Sequence, residues 1–234
     1  LKQSRTQIDN CIAEAYGNLS AIANSQRINF FLSRSQPLNG FDHYELYLIA
    51  NDLSVYSRDS IAEETYVYFS NSNKIASAYS VSSPWLYYQS GTAMGILPYE
   101  QWQDWLSHGQ HGYRSISVYM DLGTDNRVIT LHQSLPVTSY NRYTGRIFIH
   151  FDANKLRLLM QNSEVGYTYI IDKSDQIVVS TGHPLDDFTL PYQALSGSEG
   201  VFAHKDNGIN LMISYVSSSV SDWKIVSVIP ESIY

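Results

Sequence analysis

From residue 8 onward, apolar side chains recur at Ile8, Ile12, Ala15, Leu19 and Ile22, with spacings of 4, 3, 4 and 3. That rhythm marks one face of an α-helix. No proline interrupts before Pro37, and Gly17 is the only glycine up to that point, so residues 1–33 are predicted as one helix. A helix of ~30 residues spans ~45 Å, longer than one small domain needs. Such a stripe either packs along successive domains or pairs with a second copy of itself. Cys11 falls in the apolar stripe and reads as a buried thiol, with an intermolecular bridge as the alternative.

The segment Pro37-Leu-Asn-Gly40 breaks this helix, and a second one is predicted from about Asp42 to Tyr56. Strand patterns then dominate. Glu64–Ser70 and Lys74–Ser80 alternate around the turn Ser70–Asn73 and read as a hairpin. A loop with Pro84 and Trp85 leads to a short helix, Pro98–His108, with proline at its start. Strands are predicted at Ser115–Asp121, Arg127–Leu135 and Gly145–Asp152, before a helix capped by Asp152 that runs to Asn162. A second series follows: Gly166–Ile171, Gln176–Ser180, a helical piece near Tyr192–Leu195, then Gly200–His204, Ile209–Val216 and Trp223–Ile229 as a meander. The pattern is α+β: a long N-terminal helix and linker over 1–40, a β-rich module over 41–151 and a smaller one over 152–234. Each module is predicted to hold an antiparallel sheet of about five strands.

Composition narrows the function. The net charge is −7, and no run of three basic residues occurs, so nucleic acid is not a partner of this domain. A single cysteine excludes an internal disulfide and any paired-cysteine metal or redox motif. No stretch of 18 apolar residues could span a bilayer. Both ends break off abruptly, which reads as a domain cut from a longer protein. No nucleophile elbow, zinc-protease helix, dinucleotide fingerprint or phosphate loop appears, so no catalytic residue and no cofactor is assigned. His108 and His111 are spaced as metal ligands on a helix. Gly109 and Gly112 place them at a helix exit instead, and no metal site is assigned.

Strand parity points to a binding face. Along Glu64–Ser70, Tyr66 and Tyr68 oppose Thr65, Val67 and Phe69. Along Ser115–Asp121, Tyr119 and Asp121 oppose Ile116, Val118 and Met120, with Arg114 just before the strand. His132 opposes Ile129, Leu131 and Leu135, while Phe148 and His150 oppose Ile147 and Ile149. Each strand thus has an apolar face and a face of Tyr, His, Asp and Ser. The alternative for the second face is plain solvent exposure. Its aromatics and the near-absence of Lys and Glu argue for a cover, which Trp85, Tyr87, Tyr88, Tyr99, Trp102 and Trp105 can supply. The ligand-binding candidates are Tyr66, Tyr68, Trp85, Tyr88, Trp102, Arg114, Tyr119, Asp121 and His132. Rings with hydroxyl, carboxylate and imidazole groups suit a sugar or another small polar solute.

Four segments carry a family resemblance. Asp222-Trp-Lys-Ile-Val-Ser-Val-Ile-Pro-Glu231 resembles the closing strand of bacterial double Cache domains. Gly166-Tyr-Thr-Tyr-Ile-Ile-Asp172 with Gln176-Ile-Val-Val-Ser180 resembles the first hairpin of their membrane-proximal PAS-like module. Gly145-Arg-Ile-Phe-Ile-His-Phe-Asp152 resembles the strand leading into it, and Tyr66-Val-Tyr-Phe-Ser-Asn-Ser-Asn-Lys-Ile75 the matching hairpin of the distal module. The likeness is to extracytoplasmic sensor regions of sensor histidine kinases and membrane-bound AraC-type regulators. It implies two PAS-like modules along one long helix, membrane helices on both flanks, and a ligand in the distal module. Some such domains carry an amino-acid-binding pattern of Arg, Trp, Tyr and Asp; Tyr113-Arg114-Ser-Ile116 lacks the Trp, so that role is not carried over. The expectation is a non-enzymatic ligand-sensing domain on the extracellular side of a bacterial membrane, with a homodimer through the N-terminal helix. The alternative is a ligand-free dimerisation module that transmits the state of a partner protein.

Overall fold

The computed structural model describes residues 1–57, 61–90, 97–108, 115–120, 127–137, 144–160, 166–182 and 188–231. The chain divides into two compact units, Glu14–Asp152 and Leu1–Ala13 with Ala153–Tyr234. Helix α1 (Lys2–Ala23) contributes its start to one unit and its end to the other. Its predicted stripe is buried from Ile8 to Ile22. The helix does not continue to residue 33. It stops at Asn24-Ser25, and Ser25 caps a separate helix α2 (Gln26–Phe31), its hydroxyl accepting from the Ile28 amide. Asn and Ser compete for backbone hydrogen bonds inside a helix and favour its ends. Cys11 is half-buried. Among the described residues no helix is long and apolar enough to cross a membrane.

In the Glu14–Asp152 unit, helix α3 (Gly40–Leu53) begins with a reciprocal cap. Asn39 Oδ1 accepts from the Asp42 amide at 3.0 Å, and Asp42 Oδ2 accepts from the Asn39 amide at 3.0 Å. The sheet has six strands: β1 (Ala62–Phe69), β2 (Lys74–Ser77), β3 (Val81–Ser82), β4 (Ser115–Met120), β5 (Arg127–Leu135) and β6 (Gly145–Phe151). All pairings are antiparallel, in the order β3-β2-β1-β6-β5-β4. The short edge strand β3 takes the count beyond the predicted five. Asn73 closes the β1–β2 turn at φ 49°, a left-handed conformation that asparagine tolerates. One sheet face carries Val67, Ile129, Leu131, Leu135, Ile147 and Ile149, all buried. Helices α2 and α3 pack there; Phe31 meets Phe69 edge-on at 4.9 Å.

A second departure concerns residues 84–90. The predicted loop is a helix, α4 (Pro84–Ser90). Proline fits the first helical turn, where its missing N–H has no partner to lose. Ser83 precedes it, its carbonyl accepting from the Tyr87 amide at 3.0 Å. Helix α5 (Tyr99–His108) follows as predicted.

The second unit repeats the topology. Helix α6 (Ala153–Met160) precedes β7 (Tyr167–Ile171), β8 (Ile177–Gly182), β9 (Glu199–Asp206), β10 (Ile209–Ser217) and β11 (Lys224–Pro230). Their order is β8-β7-β11-β10-β9, the same as in the first sheet once β3 is set aside. The first turns of α1 are tied to the β10–β11 turn by Asp9. Its carboxylate accepts from Ser218 Oγ at 2.6 Å, Ser219 Oγ at 2.7 Å and the Ser219 amide at 3.0 Å. Hydrogen bonds to a charged group contribute about 1.5–3 kcal/mol, and orphaned donors add a further cost. Asp9→Ala is therefore expected to destabilise this unit by about 2–3 kcal/mol and to speed amide exchange over Lys2–Ile12. Unchanged exchange there would show that the clasp does not hold the helix.

Candidate ligand-binding site

Register assembles the second face of the six-stranded sheet. Across β2, β1, β6, β5 and β4, one row reads Ser77–Tyr66–Phe148–His132–Ser115. The next reads Glu64–His150–Thr130–Ser117, and a third reads Ile75–Tyr68–Arg146–Ser134. Antiparallel partners share a face, so residues more than 80 positions apart in sequence form one polar-aromatic floor. Most of this floor is buried, including Tyr66, Thr130, His132, Arg146, Phe148 and His150, while Glu64 and Ser117 are half-buried. Solvent exposure, the alternative for this face, does not hold.

The cover follows from topology. Strands β3 and β4 are consecutive in sequence but lie at opposite edges of the sheet. Their connection has five strand spacings of ~4.8 Å to cross. It carries α4 and α5, whose rings pack on the floor. Tyr87 lies 4.9 Å from Tyr66, and Trp102 lies 6.1 Å from Tyr87. Trp105 meets Phe148 at 4.7 Å and His132 at 5.7 Å. Tyr66 itself stacks on Phe148 at 4.7 Å.

Of the predicted residues, Tyr66, Tyr68, Tyr88 and Trp102 come together in one buried cluster. The Tyr88 hydroxyl donates to the Leu97 carbonyl at 2.9 Å. Trp85 stands at the rim, 47% exposed and edge-on to Tyr99 at 4.7 Å. His132 shares a hydrogen bond with Ser117 Oγ at 3.2 Å. Tyr119 lies on β4 opposite Val128. Arg114 and Asp121 lie outside the described residues.

The residue missed in the sequence is Arg146. Its guanidinium is fully buried and donates to the Trp105 carbonyl and, at 3.4 Å, to Ser134 Oγ. Parity gives it away, two positions before Phe148 on the polar face. Burial, and then the Arg146 charge, lowers the His132 pKa from 6.5 to about 4. Burial alone brings His150 to about 4. Both imidazoles are therefore neutral at pH 7. His150 Nδ1 and Thr130 Oγ1 share a hydrogen bond at 2.7 Å. Burial, followed by Tyr66 and Glu64, raises the Tyr87 phenol well above 10.0, so it stays protonated. Among the described residues, the buried atoms without a hydrogen-bond partner include Trp102 Nε1 and His150 Nε2. Among the described residues no group of three metal-ligating side chains converges.

No protein-family model matches the chain, and no curated protein matches it by sequence. Solved structures do. The ligand-binding domain of the Campylobacter jejuni chemoreceptor Tlp3, in complex with 4-methylisoleucine, is 13% identical with a TM-score of 0.57, over 99% of this chain and 90% of that one. The ligand-binding domain of the Pseudomonas fluorescens chemoreceptor CtaA, in complex with L-leucine, is 11% identical with a TM-score of 0.61, over 98% and 91%. The extracellular domain of the putative histidine kinase rpHK1S-Z16 is 9% identical with a TM-score of 0.63, over 97% and 89%. The chain shares its fold, a long N-terminal helix with two antiparallel-sheet units, with these chemoreceptor and kinase sensor regions.

Proposed function

We propose that the chain is the extracytoplasmic ligand-sensing domain of a bacterial membrane receptor, flanked by membrane helices. In this reading it binds a small polar solute in the Glu14–Asp152 unit, between the polar sheet face and helices α4 and α5. The observation that carries it is the burial of Trp102 Nε1 and His150 Nε2 with no hydrogen-bond partner among the described residues. A buried polar atom without a partner costs about 1–3 kcal/mol, and a bound solute that pairs with it removes that cost. Tyr66, Tyr68, Trp85, Tyr88, Trp102, Arg114, Tyr119, Asp121 and His132 remain the contact set, now joined by Arg146. The Arg146 charge favours a solute carrying a carboxylate or several acceptor oxygens. Two neighbours are complexes with 4-methylisoleucine and L-leucine, which meet that description. A ligand-free module is the second reading, favoured by the direct ring contacts among Tyr66, Tyr87, Trp102 and Phe148.

A thermal-shift screen of amino acids, carboxylates, sugars and peptides tests this. A solute at about 100 times its Kd adds about 2.7 kcal/mol, or about 5–10 °C in a chain of this size. The shift is expected to disappear in Trp85→Ala and to shrink in Arg146→Gln. A hit unaffected by either variant lies elsewhere, and a screen with no hit favours the ligand-free module.

A further inference from the structure

The α1 stripe is buried within the chain, so it offers no seam to a second copy. A different face is open. On α3, Phe41, Tyr44 and Tyr47 recur at i, i+3 and i+6, and are 57%, 56% and 57% exposed. Phe30 of α2 borders them at 49% exposure, and Tyr79 of the β2–β3 turn at 75%. That turn is braced: Ser77 Oγ accepts from the Tyr79 amide at 3.3 Å and from the Ser80 amide at 3.1 Å. Charges along the face are matched within the chain. Arg27 pairs with Glu45 at 3.1 Å and Asp52 at 3.2 Å, and Arg34 with Asp42 at 3.5 Å. Grooves flank α3 on both sides. One, of about 500 Å³, is lined by Gln26, Arg27, Phe30, Phe41 and Glu45. The other, of about 380 Å³, includes His43, Tyr47, Asn51 and Tyr79 in its walls.

Single exposed aromatics are ordinary, but five on one face are not. Rings that bury 150–250 Å² each, at these exposures, present about 600 Å². Two such faces in contact cover about 1,200 Å², the lower bound for a specific interface. An aromatic centre with its charges already paired has the composition of an interface core. Its two arginines and three carboxylates leave a net charge of only −1, too little for a strongly charged partner to recognise, and the row of rings is complementary to itself. We propose that this face pairs two copies of the chain, α3 against α3 about a two-fold axis near Tyr44. Phe41 of one copy then faces Tyr47 of the other, an isologous contact, and rings of each copy enter the grooves of its mate. The pairing is independent of any ligand.

Sedimentation equilibrium over about 10–500 µM, the range of a weak self-association, should show dimers. The double variant Tyr44→Glu, Tyr47→Glu places like charges across the axis and should weaken association at least tenfold. Its melting temperature should stay within about 2 °C of the parent, because both side chains are exposed. Tyr44→Cys in a Cys11→Ser background should form a covalent dimer on mild oxidation, and this variant decides the matter if the double variant fails to fold. A chain that stays monomeric throughout overturns the proposal and leaves the face to another partner, a glycan or a second protein. A dimer indifferent to the double variant, or no cross-link through Tyr44→Cys, overturns it too and moves the contact elsewhere.

Discussion

Lowering the pH from 7 to 5 is expected to destabilise the Glu14–Asp152 unit by about 2 kcal/mol for each of His132 and His150. Both imidazoles titrate near 4 in the folded chain against 6.5 when exposed. Between those values the unfolded chain holds the proton and the folded one does not. Stability is therefore complete above pH 6.5 and falls as the pH drops towards 4. Denaturant midpoints at pH 7.5, 6 and 5 measure it, and His150→Gln should flatten the slope over that interval. A parent protein with equal midpoints at pH 7.5 and 5 would mean that these rings are hydrated or already protonated. Below pH 5 the carboxylates begin to titrate as well, so the upper part of the window is the informative one.

Trp102→Ala should cost more, about 3–5 kcal/mol. Trp102 is fully buried and touches Tyr87, Tyr88 and Tyr99. Removing the indole leaves a cavity between α5 and the floor that a β-sheet cannot close by shifting. Trp102→Phe separates packing from recognition. It keeps a ring in place while removing the Nε1 donor and part of the indole's volume, so the fold should survive with a cost of about 1–2 kcal/mol. Ligand stabilisation should fall much further if Nε1 holds the solute. Equal loss of stability and of ligand response in the two variants would make Trp102 a packing residue alone.

The sequence carried the floor better than the cover. Alternation in Arg127–Leu135 and Gly145–Asp152 assigned each side chain to a face, and the register kept it there. The Ile8–Ile22 stripe gave a helix, but Asn24-Ser25 ended it, because cap chemistry acts over one turn and periodicity over several. Pro84 read as a breaker although Ser83-Pro84 is also a start signal. Arg146 escaped because a lone cation in a strand is normally taken for surface, and only the cover of α5 makes it interior. The pairing of β1 with β6 brings Tyr66 beside Phe148 across 82 positions, and nothing local in either segment announces the other.

The passage from β3 to β4 across the whole sheet also bears on how such a domain can change its specificity. Among the described residues, the segment that covers the floor makes no strand of its own, and the described strand pairings do not involve it. Lengthening a connection twofold costs only about 0.6 kcal/mol in closure entropy. The connection over 83–114 can therefore change in length at little cost to the sheet. Different lengths and aromatic patterns can be substituted there while the floor and its register are inherited intact. In the ligand-sensing reading proposed above, new chemistries are recognised by redrafting about thirty residues rather than by refolding the domain.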